Sequence, residues 1–493
     1  MNAYQKLEVI FEELAYLEHH QAISGWDEAV MMPTGGGEAR AKAMATLQSL
    51  MHQTLTHPQV GELIEKAKEA PLHDPWQQAN LQWMEKQYRK ATCLPNALVK
   101  QLTEAALYSQ QAWRTMRAEN NWRDFAPLLE KTLALTKEAA ALRSAAFHTT
   151  PYDALIDDFF PGMTQKKIDP IFATLKKTLP NLIDTIIMQQ KSRTLVIPEG
   201  PFPMSKQKQL GLELMQAIGF DFNHGRLDES HHPFCGGDPE DVRITTRYNE
   251  KEFISAVMGI CHETGHARYE QGLPKKWLRQ PVGRAQNIGV HESQSLLIEM
   301  QACRSREFMN FLSPTVKNIF GDQVAFSPEN LFHLYTKVER SLIRVDADEV
   351  TYPLHVILRY ELEKQLIEKN MKVTDLPEAW NVAMKQYLAI STKDDYKNGV
   401  MQDVHWPSGL FGYFPSYTLG RLTAAQLFTV AQKSHPEILT QLQQGNFTRL
   451  YEWLQENIFA KASSVNYDQL MQDATQECLN PDYFIMHVKR RYF

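Results

Sequence analysis

Residues 262–266 read His-Glu-Thr-Gly-His: two imidazoles four positions apart, with a carboxylate directly after the first. On an α-helix that spacing puts both rings on one face, with Cβ atoms about 5–6 Å apart. Two imidazoles so placed converge on one zinc ion at Zn–N distances of about 2.0–2.1 Å. Glu263 stands one step round the helix, beside the metal without ligating it. From there it can take a proton from a metal-activated water and later deliver it to a leaving amine. The flanking residues put the string inside a helix. Asn249 and Glu252 have capping-box spacing, Phe253, Val257 and Ile260 form an apolar stripe, and Gly272 with Pro274 closes the element. The competing reading is a surface helix with two incidental histidines, which the caps and the stripe disfavour.

A catalytic zinc needs a third protein ligand and an open position for water. His266 is followed by Ala-Arg-Tyr-Glu-Gln-Gly, which excludes the His-x-x-Gly-x-x-His continuation. The third ligand is therefore sought on a following helix, and HESQSLLIEM offers Glu292 and Glu299. Glu292 is the choice, because His291, Ser293, Gln294 and Ser295 make a polar knot unsuited to a core-facing stripe. Its competing reading is an ordinary acid near a helix N-terminus. Glu299 suits an acceptor behind a ligand imidazole, which zinc-bound histidines usually have. Cobalt or manganese would also accept these ligands.

The elements that position these residues read as helices. Leu7, Ile10, Phe11, Leu14 and Leu17 recur at three- and four-residue spacing, as do Leu128, Leu129, Leu133, Leu135 and Leu142. The stripe Leu331, Leu334, Val338, Leu342 and Val345 predicts another helix. One strand is predicted at Asp241 to Tyr248, preceded by a turn-like Cys-Gly-Gly-Asp-Pro-Glu-Asp. The 493 residues thus read as one mainly α domain, 1–493, with a very small β-sheet near the active site and two lobes around a cleft as the variant reading.

Composition excludes several other classes. A net charge of −6 gives no general pull toward nucleic acid or an anionic membrane surface. Five scattered cysteines without a Cys-x-x-Cys pair argue against a disulfide framework. No apolar run approaches the roughly 20 residues that span a bilayer, and the N-terminal stretch, with Glu8, Glu12 and Glu13, is unlike a signal peptide. A cytoplasmic location is the expectation.

Several separated strings together resemble the carboxypeptidase Taq family of zinc metallocarboxypeptidases. They are HPF at 232–234, D-x-R-x-T at 241–245, HETGH, HESQS at 291–295, I-R-x-x-A-D at 343–348 and G-x-x-Q-D-x-H-W at 399–406. SGWDEAVMMPTGGGEAR (24–40) and YDALIDDFFPGMT (152–164) extend the likeness over nearly the whole chain. The resemblance implies a helical bundle with a long deep central groove, one zinc per chain, and a homodimer. It also implies release of single C-terminal residues from peptides with broad preference. By it His262, His266 and Glu292 are ligands and Glu263 is the general base.

Chemistry suggests the remaining roles. A free C-terminal carboxylate is best held by an arginine fork. Arg344 leads, in agreement with the resemblance, ahead of Arg243 and Arg359; its competing reading is a salt bridge to Asp346 or Asp348. Oxyanion donors are sought in His405 with Tyr413 or Tyr417. Three functions compete: a zinc carboxypeptidase, a helical zinc endopeptidase or oligopeptidase, and a catalytically silent peptide-binding groove. Retention of Glu263 disfavours the last.

Overall fold

The computed structural model describes residues 1–493. It contains twenty α-helices and one three-stranded sheet, the mainly helical class expected. No helix is long and apolar enough to cross a membrane. The chain divides into two compact units, each assembled from three segments. The first comprises Met1–Ala91, Thr194–Tyr335 and Thr423–Leu479; the second comprises Thr92–Arg193, Thr336–Leu422 and Asn480–Phe493.

In the first unit the N-terminal stripe forms the helix Ala3–Val30. Asn2 caps it, accepting from the Gln5 backbone N–H while the Gln5 side chain accepts from the Asn2 N–H. Leu7, Phe11 and Leu14 bury against Val60, Leu63 and Ile64 of the helix Pro58–Lys68 and against Leu81 and Met84. Each fully buried aliphatic or aromatic side chain contributes about 1.5–3 kcal/mol.

The small sheet expected is present, and it has two strands besides the one predicted. Strands β1 (Gly225–Glu229), β2 (Phe234–Asp238) and β3 (Asp241–Thr246) lie in the order β1-β3-β2. β3 pairs parallel with β1, opposing Leu227 to Ile244, and antiparallel with β2, opposing Cys235 to Ile244. The turn expected at Cys-Gly-Gly-Asp shrinks to Pro239 and Glu240, because the residues before it are already in β2. Gly237 allows this: its φ is +95°, and a Cβ there would stand 2.1 Å from the Asp241 carbonyl oxygen.

The HETGH string lies in the helix Ile254–Gln271, hereafter the metal helix. Ile260 and Ala267 on it pack against Val242 and Ile244 of β3. The helix ends at Gly272, as expected, but starts later than expected. Asn249 makes a local turn, accepting from the Lys251 N–H, and bridges to Glu252. Phe253 is the N-cap and has no side-chain cap bond, while Glu252 before it accepts from the Ser255 N–H at 3.1 Å.

In the second unit the leucine stripe forms the helix Trp122–Phe147, with Leu135 and Leu142 against Leu94 and Leu98. The stripe beginning at Leu331 fails as one helix. The helix Pro328–Tyr335 stops there, and Val345 is exposed. The Gln190 side chain takes the backbone hydrogen bonds that a continued helix would use, donating to the Thr336 carbonyl at 3.2 Å and accepting from Val338 N–H at 3.1 Å. Side-chain competition for backbone groups therefore overrides the apolar period here.

Gly265 of the metal helix meets the helix Ile288–Leu296 backbone to backbone, and a Cβ there would lie 2.6 Å from Ser295 Cα and 2.7 Å from the Gln294 carbonyl oxygen. Gly265→Ala is expected to cost about 2–3 kcal/mol by overpacking and to lower metal stoichiometry, checked by denaturant unfolding and elemental analysis.

Candidate active site

That close approach brings together three side chains able to hold a metal ion. Glu292 Oε2 lies 4.0 Å from His262 Nε2 and 3.6 Å from His266 Nε2. One ligating atom from each of the three residues lies within 4.8 Å of the others. Ligands at about 2.1 Å from one tetrahedral ion stand about 3.4 Å apart, so small side-chain adjustments fit the set to a single cation. Two imidazole nitrogens and one carboxylate are the donor set of a catalytic site with a position left for water.

Each imidazole is braced from behind. His262 Nδ1 lies 2.9 Å from Glu299 Oε2, and the other Glu299 oxygen accepts from Arg304 Nη2 at 2.5 Å. Glu299 sits on a π-helical segment, Leu297–Ala302, that continues the Glu292 helix. His266 Nδ1 lies 2.6 Å from His291 Nδ1, and His291 Nε2 lies 2.7 Å from Glu270 Oε1.

The local field favours positive charge. Burial lowers the His262 pKa, yet the carboxylates of Glu299, Glu292 and Glu263 outweigh it and push it up to about 10. Burial lowers His266 to about 4, with His291 adding to the fall. Glu263 is only 8% exposed, and burial pushes it up to about 7; His262 opposes this, while Glu292 and Glu299 add to it.

The second unit contains Arg344, Arg359, His405, Tyr413 and Tyr417. Arg344, 5% exposed, donates from Nε and Nη2 to Asp403 Oδ1 at 3.1 and 2.8 Å and from Nη1 to the Tyr352 hydroxyl. Arg359, 1% exposed, donates from Nε to Asp403 Oδ2 at 2.6 Å. The partner is thus Asp403 and neither Asp346 nor Asp348. Asp346 is exposed, and Asp348 is occupied with the N–H groups of Val350 and Thr351. Although Asp403 is buried, Arg359 and Arg344 hold it well below the usual carboxylate range.

His405 Nε2 lies 3.4 Å from the Tyr417 hydroxyl, and its ring is 5.3 Å from that of Tyr413. Burial lowers His405 to about 4, with Asp403 opposing and Arg344 and Arg359 adding, so the ring is neutral at pH 7. Buried Glu363 accepts from Trp406 Nε1 at 2.7 Å and the Gly412 N–H at 2.8 Å, tying down the segment between His405 and Tyr413. Arg243, on β3 in the first unit, spends its fork on Asp241 at 2.7 and 2.9 Å and its face on Trp26 at 4.4 Å.

Sequence reasoning left Asp403, Glu363, His291 and Glu270 unassigned. Asp403 and His291 lie inside quoted strings, and the need of buried arginines for a counter-ion points to the former. Glu270 had a helical signal, standing four residues after His266. Glu363 had none.

Paired imidazoles and a carboxylate with an unligated acid beside them, on a helical chain, define a metallopeptidase. The model of the family described as carboxypeptidase Taq (M32) metallopeptidase matches residues 6–492. The thermostable carboxypeptidase 1 of Thermus thermophilus is 40% identical over 99% of this chain and 98% of its own length. Carboxypeptidase 1 of Bacillus subtilis is 34% identical over 98% and 97%. The solved structure of metallocarboxypeptidase 1 from Trypanosoma cruzi superposes with a TM-score of 0.98 at 42% identity, covering 99% of each chain. The chain belongs to the carboxypeptidase Taq family and is a metallocarboxypeptidase.

Asp403→Asn leaves two buried guanidinium groups sharing no anion, and about 3–5 kcal/mol of stability should be lost at pH 7. Because the folded Asp403 pKa is depressed, its stabilisation is present above the unfolded value and fades as pH falls through about 3.9. Denaturant unfolding should therefore show the gap between wild type and variant narrowing as the pH is lowered below about 4.

Proposed function

We propose that this enzyme is a zinc-dependent carboxypeptidase that releases single C-terminal residues from peptides with broad side-chain preference, using Glu263 as general base. The observation that carries this reading is the convergence of His262, His266 and Glu292 beside the buried, unligated Glu263. The three ligands would hold the ion, which when bound supplies Lewis acidity toward water and the scissile carbonyl. Glu263 takes the proton of the attacking water and passes it to the departing amine. Arg344 and Arg359 meet on the carboxylate of Asp403, with Glu363 a second buried acid that interacts with Arg359. A peptide carboxylate would join this guanidinium pair, which supports Arg344 as the C-terminal anchor. Both forks are engaged, Arg243 with Asp241 and Arg344 with Asp403, and Arg344 leads on the family resemblance while Arg243 is the weaker candidate. Neutral His405, with Tyr417 or Tyr413, supplies hydrogen-bond donors for the developing oxyanion.

Glu263→Gln should keep near-wild-type zinc content and lose turnover by at least about 100-fold; near-full activity would remove Glu263 from its role. Timed mass spectrometry on one unstructured peptide separates the readings of specificity. Stepwise loss from a free C-terminus only, stopped by chelator, is the expected result. Internal cleavage of the amidated peptide would favour an endopeptidase and release Arg344 from carboxylate recognition.

A further inference from the structure

We propose that Arg421 pairs with the C-terminal carboxylate of the peptide substrate, supplying the open guanidinium donors that Arg344 lacks. This deepens the reading of single-residue release and rests on Tyr417 facing the scissile bond. Three arginines of the chain are buried: Arg344, Arg359 and Arg421, the last 3% exposed. The first two meet on Asp403. Arg421 has no acid paired with it, and its Nε and Nη1, both shut off from solvent, have no hydrogen-bond acceptor. A buried lysine or histidine in that place could shed its proton. A guanidinium cannot, so its charge persists and calls for an anion that the chain does not supply.

The surroundings suit a carboxylate that arrives with a peptide. The Arg421 guanidinium lies 4.5 Å from the centre of the Tyr352 ring, and Arg344 faces the same ring at 5.5 Å while donating to its hydroxyl. The aromatic face holds the Arg421 cation without using its N–H groups, which remain for an acceptor. Arg344 is different: Nε and Nη2 already donate to Asp403 and Nη1 to Tyr352. It adds positive charge nearby, whereas Arg421 adds unspent donors. Arg421 also stands four residues after Tyr417 in the helix Pro415–Ser434, one turn along the same face. Four residues of helix advance about 6 Å. In an extended peptide the last amide carbonyl and the terminal carboxylate are one residue, about 3.3–3.6 Å, apart. A hydrogen bond at each end closes the difference, so a carboxylate on Arg421 brings the neighbouring carbonyl within reach of the Tyr417 hydroxyl. That geometry selects the last peptide bond, and an amidated terminus would leave the buried charge unanswered.

The test uses the full-length enzyme. Arg421→Met removes the unpaired charge and keeps an unbranched stem on Tyr352, so the substrate-free variant should unfold at or above the wild-type temperature. On a peptide with a free C-terminus it should lose about 10–100-fold in kcat/KM, chiefly through KM. Arg421→Lys keeps the charge without the fork and should fall between the two. Binding is read apart from turnover on metal-free protein by thermal shift. Millimolar N-acetyl-phenylalanine should stabilise wild type and not Arg421→Met, and its amide should stabilise neither. Chloride and acetate should compete with the peptide in wild type alone. An unchanged KM in Arg421→Met, or equal stabilisation of both proteins by N-acetyl-phenylalanine, would overturn the proposal. Activity that requires chloride would overturn it too, by making the anion a resident of the site. N-acetyl-phenylalanine held through Arg421 by an enzyme that cleaves only inside peptides would uphold the anchor and overturn the reading of single-residue release.

Discussion

Burial of like charges is the constraint around which the metal-ligating corner is organised. Glu263, Glu292 and Glu299 converge on His262, with Glu263 and Glu299 buried and Glu292 and His262 half-buried. Like charges in a low-dielectric setting repel strongly, and isolated buried carboxylates neutralise themselves by pKa shift. The structure meets this in three ways. Arg304 balances Glu299, the raised pKa of Glu263 lets a proton reside there near neutrality, and Glu292 stands 4.0 Å from His262 Nε2, an imidazole whose pKa is raised. The same crowding that makes the corner costly in its own right makes it selective for a positively charged occupant.

The second unit carries the opposite sign. Two guanidinium groups divide one carboxylate, and both are almost wholly buried. Such a triad contributes little net stability against an apolar replacement, because desolvation consumes most of the Coulombic gain. The same field lowers the pKa of His405, so that its imidazole is a neutral hydrogen-bond donor at pH 7. Glu363 fixes the segment that follows by binding Trp406 and Gly412 at once, which keeps His405 and Tyr413 in register without involving either side chain.

What was legible in the sequence followed from distance along the chain. His262, Glu263 and His266 are set by helical geometry alone, and Gly272 ended their helix where expected. The start of that helix was misread because Asn249 has two ways to satisfy backbone donors, and it uses a local turn. The helix after Tyr335 was overcalled because apolar period says nothing about Gln190, far off in sequence, taking the backbone groups. β2 was masked by its two glycines, which look like turn residues until a partner strand is present. The strings shared with the carboxypeptidase Taq family named the right neighbourhoods, including Asp403 and His291, but no spacing rule could say that Asp403 would face both arginines.

The π-helical segment gives the clearest case of a local irregularity serving the site. Glu292 and Glu299 are seven residues apart, and in an unbroken α-helix that interval returns to within about 20° of the same face. Both acids attend the same ring: Glu292 faces Nε2 of His262, and Glu299 faces Nδ1. They must therefore approach it from different sides of the imidazole. The wider turn over Leu297–Ala302 changes the angular step between them. Such a segment has poorer hydrogen-bond geometry than the α-helix it interrupts, so it persists where surrounding packing holds it. Leu296, Leu297, Ile298 and Ala302, all almost fully buried, provide that packing. The apolar side chains of this helix thus hold its backbone out of regular register, and the altered register sets Glu292 and Glu299 at opposite nitrogens of one ring.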